Sequence, residues 1–100
     1  MSAVELVDCG GGHFSLCGEL SFHTVVGLLA RGRDMFAGEQ SIELDLSAVT
    51  HSDSAGLSLL IEWLKQAKLQ GKSLRYISLP PQLRALADVS EVRQLLSPLA

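Results

Sequence analysis

Residues 42–57 place an alternating strand, a short loop and a capped helix start in one unbroken run, the strand-to-helix junction of an α/β fold. Ile42, Leu44 and Leu46 alternate with Glu43, Asp45 and Ser47, the period-two pattern of a strand with one buried face. Asp53 stands where an N-cap carboxylate can accept the unpaired N–H groups of a first helical turn. Ser54 lies in that turn, beside Gly56, so its hydroxyl sits at the positive end of a helix dipole. The pattern predicts a strand over 41–47 and a helix over 54–70, closed by Gly71.

The remaining elements follow from the same signals. Val4–Cys9 and His13–Gly18 flank three glycines and form a hairpin, with Phe14, Leu16 and Leu20 on one face and Ser15, Cys17 and Glu19 on the other. A helix is expected over 22–36, with Val25, Val26, Leu28, Leu29 and Phe36 apolar and Gly27 and Gly32 weakening it, before Gly38 ends it. A strand over 73–79 leads to Pro81 at the first position of a helix running to about Asp88, and Ser90 caps a last short helix through Leu96. Strands alternating with helices require right-handed crossovers and a largely parallel sheet, and the alternating pattern of residues 41–47 places helices on one face only. The expected architecture is α/β: one domain over residues 1–100, with a mixed, mainly parallel sheet of four to five strands.

Composition limits the function classes. With 47% hydrophobic residues the chain can build one core, and a charged fraction of 19% is low enough that a partner is expected to cover some surface. A formal charge of −3, without Lys and Arg clusters interleaved with aromatics, argues against nucleic acid or anionic lipid as a direct ligand. Lys65, Lys68 and Lys72 read as a solvated helix flank. The first residues lack a basic stretch followed by an apolar one, and no run approaches the ~18 apolar residues of a membrane span, so a cytosolic chain without direct membrane insertion is expected. A hairpin register placing Cys9 near Gly12 and Cys17 near Val4 separates the thiols by about 14 Å, beyond the ~7 Å Cα limit of a disulfide, so two reduced cysteines are expected.

Three constellations fall short of chemistry. His51, Asp53 and Ser54 are the residue types of a catalytic triad, but they are too close in sequence to form a base-to-nucleophile chain, and no G-x-S-x-G elbow is present. Gly10–Gly12 lacks the Lys-Ser or Lys-Thr of a phosphate loop. His13, His23, His51 and the cysteines have no zinc-ligand spacing. No catalytic residue, metal or cofactor is expected.

Gly18-Glu19-Leu20 ending an early strand, Asp45-Leu46-Ser47 ending the central one, Asp53-Ser54-Ala55-Gly56-Leu57 opening a helix and Gly71 closing it together resemble the STAS domains, over nearly the whole chain. Leu57–Gly71 and Leu79-Pro80-Pro81-Gln82-Leu83 are similar to the branch that serves as a small cytoplasmic subunit of a phospholipid-transport ABC complex. The resemblance implies a non-catalytic accessory subunit that binds the ABC ATPase, within a membrane complex containing a permease, through the position of Ser54. It also implies an alternative: in anti-anti-sigma factors the matching serine is phosphorylated by a partner kinase. Ser21 and Phe22 follow Gly18-Glu19-Leu20, where those factors commonly have Asp next. A cap alone would also explain Ser54.

Helix 54–70 carries one further signal. Leu57, Leu60, Ile61 and Leu64 make a core stripe, whereas Trp63 and Leu59 fall about 100° and 140° from its centre. Two readings stand: an outward interface anchor, or packing under the helix that begins at Pro81. The candidate partner-binding face is therefore His51, Ser52, Asp53, Ser54, Ala55, Gly56, Leu59 and Trp63.

Overall fold

Five strands and three helices appear in the computed structural model, which describes residues 4–89. Strands β1 (Val4–Gly10) and β2 (His13–Leu20) form an antiparallel hairpin, because Gly10, Gly11 and Gly12 all take positive φ, which L side chains resist. Helix α1 (Val25–Phe36) then crosses to β3 (Ser41–Asp45), which runs parallel to β2. Strand β4 (Val49–Ser52) pairs parallel with the far end of β2, helix α2 (Ser54–Leu69) follows, and β5 (Ser73–Ile77) adds parallel to β3 before α3 (Pro81–Val89). The sheet order is β1-β2-β3-β5, with β4 off this path on β2. The expected mixed, mainly parallel sheet is present.

The sheet buries one face. Leu6, Phe14, Leu16, Leu20, Ile42, Leu44 and Tyr76 lie in the core, while Ser15, Cys17, Glu43 and Asp45 on the alternate positions remain partly accessible. Aromatic rings join the layers: Phe14 of β2 meets Phe36 of α1 edge-on at 4.9 Å, and Phe36 meets Trp63 of α2 at 5.4 Å.

Four expectations need correction. β4 lies in what reads from sequence as a loop, since four residues with His51 exposed carry no alternation strong enough to announce a strand. α1 starts at Val25, because Ser21–Thr24 forms a hydrogen-bonded turn in which Thr24 Oγ1 accepts from Ser21 N at 2.9 Å. The hairpin register is offset by one residue, with Cys17 opposite Glu5 and Val4 opposite Gly18, and an irregularity between Asp8 and Gly10 takes up Cys9. Both thiols are free. Finally, Leu59 and Trp63 are not outward anchors. They are only 4% and 2% exposed, since α1 packs along that flank of α2 and widens its buried arc beyond the stripe facing the sheet. Trp63 rests on Gly32 and Phe36 of α1, so its partner is α1. The helix expected over 90–96 lies outside the described residues.

Candidate functional site

The site grows from the ends of β2 and β4. Leu20 and Ser52 are register partners, and Asp53 N donates to Leu20 O at 3.1 Å, which fixes the first residue after β4 against the end of β2. From there Asp53 adopts extended backbone (φ −102°, ψ −170°), and its Oδ1 accepts from Ala55 N at 2.8 Å and Gly56 N at 3.3 Å, the expected cap. Its second oxygen accepts from Phe22 N at 3.4 Å and so ties the turn before α1 to the start of α2. One carboxylate holds two elements together.

Gly56 is required by proximity. A side chain there would run into Ser52 Oγ and come within 2.8 Å of Leu20 Cβ, so α2 approaches the sheet as closely as its backbone permits. Ser52 is buried, its N–H donating to Gln82 Oε1 at 3.0 Å and its hydroxyl to Asp53 O at 3.1 Å. Gln82 Nε2 lies 3.5 Å from His51 Nδ1, which brings α3 to the same corner. Because the Asp53 carboxylate serves backbone N–H groups and the His51 ring faces Gln82, these residues do not line up as a triad with Ser54.

Of the sequence candidates, His51 and Ser54 are exposed, Asp53 and Ala55 are half-buried, and Ser52 and Gly56 are buried supports. Leu59 returns to the site in another capacity, as part of the floor of a cleft of about 320 Å³ lined by Val25, Val26, Leu29, Ala55, Ser58 and Glu62. Val26, one of the lining residues, is 75% exposed, and Phe22, also 75% exposed, is tied through its N–H to Asp53 at the start of α2. Neither reads from sequence as part of a binding face. A usable signal existed: the doublets Val25-Val26 and Leu28-Leu29 spread apolar residues over more of α1 than one buried stripe can use. The result is a mainly apolar cleft between α1 and α2 whose lining includes Ala55, the residue after the exposed Ser54. Contiguous exposed apolar surface of this kind marks interaction sites.

A family model described as Mlab, STAS domain, matches residues 7–97. The chain belongs to the STAS family. At 33% identity, covering 74% of this chain and 74% of the relative, it is similar to the intermembrane phospholipid transport system binding protein MlaB of Haemophilus influenzae. Solved STAS-like structures share the fold. The anti-sigma factor antagonist SpoIIAA in its unphosphorylated form superposes with a TM-score of 0.72 at 16% identity, covering 94% of this chain and 85% of that one. An anti-sigma factor antagonist from Mycobacterium paratuberculosis gives 0.69 at 19% identity, covering 93% and 80%. In this STAS chain no helix among the described residues is long and apolar enough to cross a membrane.

Proposed function

We propose that this STAS chain is a non-catalytic accessory subunit that docks on the cytosolic, MlaF-like ATPase of an ABC phospholipid transporter. The similarity to MlaB supports the transporter class. The observation that carries the docking face is the exposed Val26 lining the α1–α2 cleft, with exposed Phe22 tied to the start of α2 through Asp53 and Ser54 exposed beside the lining residue Ala55. Large exposed apolar residues supply the binding energy, and the exposed Ser54 at the start of α2 supplies orientation. The mechanism is thermodynamic: by binding one conformation or the assembled form of the ATPase more tightly, the subunit shifts that population by its differential affinity.

Titration calorimetry with the purified ATPase tests this reading. Phe22→Asp and Ser54→Glu should each weaken binding by about tenfold or more while leaving the circular dichroism spectrum unchanged. Full affinity in both folded variants would rule out this face. A second reading draws on the exposure of Ser54 in the first helical turn: an anti-anti-sigma factor switched by a kinase, in which a phosphate adds about −1.5 to −2 charge beside Asp53. Incubation with the cognate kinase and ATP separates the two.

A further inference from the structure

A second concave surface lies on a different flank of α2, toward its C-terminal end. Ile61, Leu64, Lys65, Ala67 and Lys68 of α2 face Lys72, Leu74 and Arg75 at the start of β5 across a groove of about 620 Å³. That volume falls within the roughly 300–1,000 Å³ range of small-molecule sites. Ile61, Leu64 and Leu74 pack on the core from below and leave part of their surface as an apolar floor. The rim is cationic. Four of the chain's eight Lys and Arg residues line this groove and no acidic residue does, a local concentration, assembled from α2 and the start of β5, that the net charge of −3 conceals and that corrects the expectation of no anionic lipid ligand.

The state of each cation decides what the groove can recognise. Arg75 is paired with Glu43 and is neutralised. Lys72 donates to the carbonyls of Phe36 at 2.7 Å and Ala37 at 3.0 Å, which anchor its ammonium without cancelling its charge. Lys65 reaches Glu62 only at 3.9 Å, with both side chains well exposed, a pairing that holds it weakly. Lys68, one turn further on, is exposed. An apolar floor below two available ammonium groups matches a ligand with an apolar chain and an acidic head. From this geometry we infer that the groove binds a monomeric long-chain carboxylate, its chain along Ile61, Leu64 and Leu74 and its acid head on Lys65 and Lys68.

Methyl and amide NMR of the full chain, titrated with laurate below its micelle concentration, tests the site. Saturable shifts are expected at Leu64 and Leu74. Dodecyltrimethylammonium, with the same chain and the opposite charge, should bind more weakly by about fivefold or more, and Lys65→Glu/Lys68→Glu should lose a similar factor for laurate. No saturable shift would overturn the proposal, as would equal binding of the two probes or shifts centred on the Val26–Leu59 cleft. Protection of the groove by phosphatidylglycerol vesicles without laurate binding would also overturn it, making this a membrane-facing surface. The groove is separate from the docking cleft, so neither reading depends on the other.

Discussion

Gly32 and Trp63 meet face to face where α1 crosses α2: a Cβ at Gly32 would lie 2.6 Å from the indole Nε1. The missing side chain is a notch for the largest residue of the core. Gly32→Ala should therefore destabilise the protein by about 1–3 kcal/mol through overpacking, despite alanine's better helix propensity. Trp63→Ala, which leaves a cavity, should cost about 3–5 kcal/mol. Urea unfolding monitored by circular dichroism measures both, and an unchanged midpoint for Trp63→Ala would contradict its place in the core.

The corner at Asp53 makes a separate prediction. Asp53→Ala removes the acceptor for Ala55 N and Gly56 N and the tie to Phe22 N, and should cost about 1 kcal/mol. Gly56→Ala should cost about 1–3 kcal/mol, since the new methyl group meets Ser52 Oγ and Leu20. Thermal melts of the two variants provide the check. A Gly56→Ala protein as stable as the parent would mean that α2 sits further from the sheet.

Tyr76 gives a pH signature. Its hydroxyl is buried and donates to Leu60 O at 2.6 Å, and burial pushes its pKa well above the ordinary 10.0. The unfolded chain releases this proton near pH 10 and the folded chain retains it. The stabilisation is therefore complete below about pH 10 and is lost as pH rises from there through the folded pKa. Because the chain has one tyrosine, absorbance titration reports this group alone. Ionisation should coincide with loss of the circular dichroism signal, and Tyr76→Phe should flatten the alkaline decline in stability. Reversible ionisation near pH 10 in a folded protein would contradict the burial.

Val26 tests the cleft without touching the cap. Val26→Asp, at a position 75% exposed, should change stability by no more than about 0.5 kcal/mol while weakening ATPase binding. Comparing its melting temperature with its calorimetric affinity separates the two effects.

Much of this was legible in the chain because local chemistry and fold agree. The alternation through Ile42 and Leu44, the three-glycine turn and the Asp53 cap each depend on neighbours in sequence, and each is found in place, although the strand ends at Asp45 and not at Ser47. For Trp63 the sequence leaves an outward anchor and a buried packing reading open, and neither names α1, because a helical wheel registers one partner, the sheet, whereas α2 has two. The glycine that receives it, Gly32, looks from sequence like a helix defect. Strand β4 stayed hidden because it owes its existence to pairing with the end of β2, a long-range contact that four residues cannot announce. Phe22 reads from sequence as the start of a helix, whereas the Ser21–Thr24 turn and the Asp53 carboxylate hold its backbone outside α1 and its side chain is 75% exposed.

Affinity capture of the tagged protein from its native cells in mild detergent, with partners identified by mass spectrometry, addresses the docking proposal most directly. An ABC ATPase with its permease should be recovered, and should be lost when Phe22→Asp or Ser54→Glu is the bait. Recovery instead of a soluble kinase or sigma regulator, with phosphate on Ser54, would contradict the transporter reading.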